Sequence, residues 1–465
     1  MDRDRFLNRR AFLQLGGMSL AMTLADSSVA RDRFNAGRGE RTPGRRFLGD
    51  TPTEQLDTPT LVLIFLRGGA DGLNQTIPTN SEDFLQYNMF RPNLSPYATQ
   101  MDVDMAGGRL LDGMGADTGW AVHPQMVEHF MPLWEQGAMA FSPDVHYDAA
   151  SRSHFDGQQF YENGTPGEKF TPNGWMNRHL ESNGSSAEAA ELRGIALNSV
   201  TPLTMRGDFP TLSFSTLGNL SVTGNDTRNE AYLTSQELAF GQVATGPKFY
   251  DGPVGYTGGA LIDALRAIRE AEDTGILPDP DPAAEAIYPY ATNNGFAVRL
   301  RDTARLIKSN AFNIEIAQVE LGGWDTHRDQ DTIGNNHPLL SWTLMAGLRA
   351  FYEDLGATYG RNVVTVAITE FGRTSRENGS IGTDHGSAMT SFVVGRPETI
   401  NGRRVFHGSR GVGGWHGLND LRNNRDLKYS VDYRDLLMDV IGNHLGNESS
   451  EIFPGFSHDP LGIIA

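Results

Sequence analysis

The feature that most constrains the fold is a series of continuous apolar runs separated by segments with helical spacing. A run that is apolar at every position is typical of a strand covered on both faces, because alternate side chains of a strand point to opposite sides of the sheet. Runs that are wholly or mostly apolar occupy residues 61–66, 138–142, 314–321, 363–369 and 391–394. They predict five strands, with the one at 391–394 nearer to an edge of the sheet.

Helical patterns fall mostly between these runs. Apolar side chains recur at intervals of three and four over residues 123–136, 260–272, 298–309, 340–355 and 430–445. The alternation predicts an α/β fold, a doubly wound, mostly parallel sheet with helices on both faces. It also predicts a single domain over residues 58–465. Residues 164–253 are rich in Gly, Asn, Thr and Ser with weak periodicity, and we expect a cap or insertion there.

The N-terminus has the order of a secretion signal. Arg9-Arg10 precede Ala-Phe-Leu, a mildly apolar stretch follows over 15–24, and Ser28-Val29-Ala30 ends the segment with small residues. This pattern predicts a twin-arginine signal peptide over 1–30 and a flexible leader over 31–57. We therefore expect the Tat export machinery as a partner and a periplasmic or extracellular location. The alternative is an uncleaved amphipathic N-terminal helix.

Composition excludes several kinds of site. The chain has no cysteine, so disulfides, thiol nucleophiles and cysteine-bound zinc are excluded, and a metal would need carboxylate, imidazole, hydroxyl or water ligands. The formal charge of −18 disfavours binding to nucleic acid. Beyond the signal, no segment has the length of a membrane span, so we expect no stable span. An anionic substrate would need a local cationic site, which a metal would provide.

Ligands of open parallel sheets bind beyond the carboxyl ends of the strands. Asp71 lies there, in a Gly-Gly-Ala-Asp-Gly turn after the first run, although Asp is also common in turns without a function. Ser151 and Ser153 follow the second run and open a predicted helix. The positive end of a helix dipole suits a nucleophile that attacks an anionic ester, and the alternative is an ordinary serine N-cap.

Two Asp–His pairs follow later strands, Asp325 with His327 and Asp384 with His385. Carboxylate and imidazole together can hold one metal ion, and two such pairs in one chain favour a shared site over two separate Asp–His hydrogen bonds. Glu370 ends the run at 363–369 and is a further candidate ligand.

Arg373 and three single histidines complete the candidates. Arg373 follows Glu370 closely and is a candidate clamp for a developing oxyanion. His407 and His416 lie in a late Gly-rich loop, and His123 begins a predicted helix. Any one of the three could supply a final imidazole, and for each the alternative is a purely structural role.

The ordered motifs resemble the bacterial domain-of-unknown-function 1501 family. They are LRGGADGLN at 66–74, HP at 123–124, SHF at 153–155, GGWDTH at 322–327, EFGR at 370–373 and GTDHG at 382–386. The resemblance runs from about residue 60 to residue 445, and a twin-arginine start is usual in that family. Its members look like distant relatives of the alkaline phosphatase and sulfatase superfamily, although the Asp-x-His spacing here differs from the superfamily's Asp-x-x-x-His.

That resemblance implies an alkaline-phosphatase-like fold and one or two divalent ions, with zinc, manganese, magnesium and calcium all open. It implies Ser153 as the nucleophile. It also implies a set of metal ligands, namely Asp71, Asp325, His327, Asp384, His385 and a late His416 or His407. Glu370 is added to this set because of its position at the end of a predicted strand. The expected function is a metal-dependent hydrolase acting on phosphate or sulfate esters. The alternatives are a non-catalytic periplasmic protein that binds metal or a partner, and Asp–His pairs that are purely structural.

Overall fold

The computed structural model describes residues 58–148, 151–183, 192–219, 267–268, 270–309, 311–331, 337–409 and 414–465. The predicted signal peptide and leader lie outside these residues, as do most of the helix expected at 260–272 and much of the insertion expected at 164–253. None of the helices in the described ranges combines the length and the apolarity that a bilayer span requires.

The chain is mixed α/β. Its strands are β1 (Thr60–Arg67), β2 (Thr76–Pro78), β3 (Arg109–Leu111), β4 (Asp117–Val122), β5 (Met139–His146), β6 (Gly194–Leu197), β7 (Leu212–Ser213), β8 (Ile316–Gly322), β9 (Val363–Thr369), β10 (Met389–Val394) and β11 (Val431–Asp432). Its α-helices in the described residues are α1 (Gly72–Gln75), α2 (Ser81–Phe90), α3 (Gln100–Met105), α4 (Val127–Glu135), α5 (His154–Asn163), α6 (Trp175–Ser182), α7 (Pro282–Glu285), α8 (Tyr290–Lys308), α9 (His337–Gly360) and α10 (Tyr433–Asn443).

Six of the strands form a mostly parallel sheet in the order β11-β5-β10-β9-β1-β8. β1 and β9 pair in parallel from Thr60 opposite Val363 to Leu66 opposite Thr369. All seven residues of β9 are buried, and so are the first seven of β1. Because successive side chains alternate between faces, these strands are covered on both sides, as continuous apolar runs predict.

Two details of the strand prediction are wrong. β10 lies between β5 and β9 and is antiparallel to both, whereas the run at 391–394 was expected nearer to an edge. The polar Ser391 at the start of the run does not indicate an edge, because its buried hydroxyl donates a hydrogen bond to the carbonyl of Ala367. β5 continues through Pro143 to His146 instead of ending at residue 142, and its register with β10 shifts along this stretch.

A second sheet was not predicted. It has the order β2-β4-β3 and is antiparallel, and β2 and β3 have three residues each. Strands this short show no readable alternation. A hydrophobic cluster is shared between this sheet and its neighbouring helices, and Ile77, Tyr87, Val103 and Ala121 belong to it.

The described residues divide into two compact units. The main unit contains Pro59–Thr171, Pro280–Arg301 and Gln318–Ala465, and the other contains the described parts of Pro172–Asp279 and Asp302–Ala317. Within the second unit, β6 and β7 are parallel. Its Arg193 guanidinium pairs with Glu315. Burial alone would raise the pKa of Glu315, but hydrogen bonds from His179 and Arg193 lower it to about 2.

In the main unit, the carboxyl ends of three neighbouring strands meet at one edge. Gly68 follows β1 and Glu370 directly follows β9, and the backbone N–H of Gly68 donates to the Glu370 carboxylate at 3.0 Å. The N–H of Trp324, after β8, donates to the carbonyl of Arg67 at 3.3 Å. The polar clusters that follow these strands in the sequence therefore lie side by side.

We expect Leu63→Ala to destabilise the chain by about 2–5 kcal/mol, because Leu63 is fully buried in a strand with neighbours on both sides. The matched control is Leu85→Ala in α2, where the side chain is 66% exposed, and its cost should stay within about 0.5 kcal/mol. Urea unfolding of both variants measures the difference. Equal costs would contradict the buried position of β1.

Candidate metal centre

Four side chains from three loops of the main unit converge beyond the strand ends. His154 begins α5, Asp325 and His327 follow β8, and His385 lies between β9 and β10. The Oδ1 atom of Asp325 is 3.4 Å from Nε2 of His154, 3.0 Å from Nε2 of His327 and 3.2 Å from Nε2 of His385. The Nε2 atoms of His327 and His385 are 3.0 Å apart. We call these four residues the histidine cluster.

Each imidazole of the cluster is held at its other nitrogen by an oxygen that can only accept. The pairs are Nδ1 of His154 with Oε1 of Glu370 at 2.8 Å, Nδ1 of His327 with Oδ1 of Asp384 at 3.0 Å, and Nδ1 of His385 with the carbonyl of Arg152 at 2.6 Å. A neutral ring held in this way carries its proton on Nδ1, and its Nε2 atom is then a lone pair that faces Asp325.

This arrangement fits a cation. Three lone pairs that face one carboxylate oxygen repel it unless positive charge lies between them. The Nε2 atom of His154 is buried without a hydrogen-bond partner within the described residues. A tetrahedral shell with ligand distances of about 2.0–2.1 Å has edges of about 3.3 Å. The distances from Asp325 Oδ1 to the Nε2 atoms of His154 and His385 are close to that length. The ligand atoms of His154, Asp325 and His385 all lie within 4.8 Å of one another, and His327 approaches this group from the side of Asp325 and His385.

Metal-bound histidines usually donate their second ring N–H to a carboxylate or a carbonyl, and the pairs above follow that pattern. Glu370 is the most deeply placed of these acceptors, with no exposed side-chain surface. It accepts from His154, from the Gly68 N–H and from Gln158 Nε2 at 3.0 Å. Burial alone would raise its pKa, but these hydrogen bonds, with that of His154 first, lower it. Glu370 therefore orients His154 and lies outside the cluster.

Arg373 lies beneath the cluster with no exposed side-chain surface. Its guanidinium donates to the carbonyls of Gly69, Thr383 and Trp324, and to Oδ1 of Asp325 at 2.8 Å. Burial alone would raise the pKa of Asp325, but this hydrogen bond and charge lower it to about 2. Arg373 thus positions three loops and one candidate ligand.

Two glycines allow the loops to approach so closely. Gly68 has φ +122°, and a Cβ atom there would lie 2.7 Å from the Asp325 nitrogen. A Cβ atom on Gly386 would lie 2.3 Å from the carbonyl carbon of Arg373. Any larger residue at either position would push apart the segments that carry the cluster.

The cluster is open to solvent on one side. The side chain of Asp325 is 47% exposed and that of His327 is 42% exposed, whereas His154 and His385 are more buried. A metal ion held here would keep a face accessible to water or substrate, which is the feature that distinguishes catalytic from closed structural sites.

Asp71 contacts a different set of residues. It forms a buried, two-point ion pair with Arg91, with oxygen–nitrogen distances of 2.6 and 3.0 Å, and also accepts from Gln330 Nε2 at 2.6 Å. The nearby His123 is buried, and burial lowers its pKa to about 3. Its Nδ1 accepts from the Gln125 N–H. Within the described residues, neither side chain has a hydrogen bond or ion pair with the histidine cluster.

The two late histidines also have other partners. Nδ1 of His407 is 3.4 Å from Oδ1 of the buried Asp144, and Nδ1 of His416 is 3.5 Å from Asp420. In the part of the chain that the structure describes, neither contacts the cluster. His154 is the third imidazole of the cluster, a role that the sequence analysis assigned to His416 or His407. The sequence signal for His154 is its position after β5, which matches the position of His327 after β8.

The two candidate serines differ in their bonds. Ser153 is the N-cap of α5, yet its side chain makes no capping hydrogen bond. The Ser151 hydroxyl accepts from the Ser153 N–H at 3.1 Å and is 3.4 Å from Asp156. The ordinary N-cap role therefore does not account for the Ser153 hydroxyl.

We expect Arg91→Ala to destabilise the chain by about 3–5 kcal/mol, because it leaves the Asp71 carboxylate buried without its cation. Arg109→Ala is the control, since Arg109 pairs with two half-exposed carboxylates, and it should cost less than about 1 kcal/mol. Denaturant unfolding measures both. A small cost for Arg91→Ala would show that Asp71 is not held by this ion pair.

A search of curated proteins finds none that matches this chain. A family model described as "Protein of unknown function (DUF1501)" matches residues 58–452, a range that includes every residue of the histidine cluster and its three acceptors. The resemblance read from the ordered motifs is thereby confirmed, and the chain belongs to the DUF1501 family.

Proposed function

We propose that this chain is an exported, metal-dependent hydrolase that holds one divalent ion in the histidine cluster and cleaves phosphate or sulfate esters. One observation carries the proposal: three imidazoles with tethered Nδ1 atoms direct their Nε2 atoms at the same carboxylate oxygen. Protein groups seldom face one another in this way unless a cation lies between them.

The number and type of ion follow from the donors. Asp71 is fully engaged with Arg91 and Gln330, and Glu370 with His154, Gln158 and Gly68, so carboxylates for a second ion are lacking among these residues. Three nitrogens and one oxygen suit a transition ion such as zinc or manganese better than magnesium or calcium, which prefer oxygen ligands.

The proposed chemistry is attack on an ester of phosphate or sulfate. A bound divalent ion would polarise the ester oxygen and lower the pKa of a hydroxyl or water beside it. The Ser153 hydroxyl is our candidate nucleophile. It precedes the cluster residue His154, lies at the positive end of α5 and is not used as a cap. Ser151 is engaged locally and is the weaker candidate.

Export by the twin-arginine route and an alkaline-phosphatase-like fold belong to the same proposal. The twin-arginine pattern of residues 1–30 supports the first. The second draws support from a mostly parallel sheet whose candidate ligands follow the carboxyl ends of its strands.

Metal analysis tests the site itself. Elemental analysis of the full chain, exported through its native route, should find about one divalent transition ion per molecule. Asp325→Ala/His385→Ala should lose it, and the matched control His416→Ala should keep it, because His416 pairs with Asp420 instead. Absence of metal from the wild-type chain, or equal metal in all three proteins, would refute the proposed centre.

Ester hydrolysis tests the chemistry. The metal-loaded chain should hydrolyse members of a panel of phosphate and sulfate monoesters. Ser153→Ala should lower kcat by at least about 100-fold while the metal content is unchanged, and Ser151→Ala should have a small effect. Metal binding without turnover of any ester would favour the alternative, a non-catalytic exported metal-binding protein. Equal activity of the two serine variants would leave a water molecule as the nucleophile.

A further inference from the structure

The backbone of one arginine, Arg152, contacts the histidine cluster. The carbonyl of Arg152 accepts from Nδ1 of His385 at 2.6 Å, so residue 152 lies at the margin of the cluster. The Arg152 side chain is exposed, and within the described residues it has no hydrogen bond or ion pair. Such a guanidinium is available to a ligand.

Two more arginines come from the loop before β11. The Arg425 carbonyl accepts from the backbone N–H of Ser375 at 3.1 Å and from its hydroxyl at 2.7 Å, which fixes this loop to the segment after β9. Arg425 pairs with the buried Asp426 at 2.7 Å. Arg422 is exposed, and in the described ranges its side chain forms no hydrogen bond.

The loop that carries Arg422 and Arg425 lies next to the segment that carries Asp384 and His385. Asp426 pairs with Thr374 in an antiparallel bridge, and the Thr374 N–H donates to the Asp384 carbonyl at 2.9 Å. Burial raises the pKa of Asp426, and the charges of Arg425, Arg152 and Arg422 together lower it by less. Three guanidinium groups thus act on one carboxylate, in a chain whose formal charge is −18. Positive charge is concentrated locally, against the overall charge.

We infer that Arg152, Arg422 and Arg425 form an anion-binding subsite at the margin of the histidine cluster, which binds the tetrahedral phosphate or sulfate group of the substrate. Guanidinium groups suit this ligand because their paired N–H donors match two oxygens of an oxyanion. The inference deepens the proposed hydrolase and rests on it for the link to catalysis, but anion binding itself can be measured without turnover.

The test is calorimetric titration of the full chain with inorganic phosphate and, in a separate arm, with inorganic sulfate. Each arm is run on the metal-loaded and on the chelator-treated protein. Arg152→Ala and Arg422→Ala should each weaken binding of the preferred anion by about tenfold or more. The control is Arg404→Ala, which removes an equal charge from an exposed arginine that stacks on Phe406, and it should bind as the wild type does.

The outcomes separate the two proposals. The subsite is refuted if the wild-type chain binds neither anion, or if the Arg152 and Arg422 variants bind as tightly as the Arg404 variant. A chain that holds no metal but loses anion binding in those variants retains the subsite and refutes the hydrolase. If an alanine variant does not fold, Arg152→Lys or Arg422→Lys replaces it, and either should weaken binding because the paired donors are lost.

Discussion

The candidate metal centre depends on one buried guanidinium. Arg373 donates to the carbonyls of Gly69, Trp324 and Thr383, which belong to the segments after β1, after β8 and before β10. It also donates to the carbonyl of Gly68 and to the Asp325 carboxylate, to which the three imidazoles are directed. A buried guanidinium is stable only when its donors are satisfied, so these segments must come together for Arg373 to be buried. The same contacts thereby stabilise the loops and fix the carboxylate around which the cluster is arranged.

Two layers of groups surround that carboxylate. The three imidazoles of the histidine cluster direct their Nε2 atoms at it. The outer layer, formed by Glu370, Asp384 and the Arg152 carbonyl, accepts from their Nδ1 atoms. The outer acceptors come from different places in the chain, so the ring orientations are set by the fold and not by any one loop. In the proposed subsite, the arginines at the margin would extend this organisation to a bound anion, which an overall negative chain would otherwise repel.

The parts of this arrangement that are local in sequence were predictable. The strands at 61–66 and 363–369 are predicted by their wholly or mostly apolar residues. In the Asp325–His327 and Asp384–His385 pairs, the two candidate ligands lie within a few positions of each other in the sequence. The parts that depend on distant partners were not. The position of Asp71 is typical of a metal ligand, but its carboxylate pairs with Arg91, which is distant in the sequence. The direction of β10 follows from its pairing with β5 and β9, which no local sequence pattern encodes. His154 could have been predicted as a ligand, because it follows β5 as His327 follows β8.

The central claim is that the histidine cluster holds a single metal ion. Crystals of the metal-loaded chain, measured on both sides of the absorption edge of the ion found by elemental analysis, locate that ion directly. We expect one anomalous peak, which lies between the Nε2 atoms of His154, His327 and His385 and the Asp325 carboxylate. A peak beside Asp71, or no peak at the cluster in a protein shown to contain the metal, would contradict it.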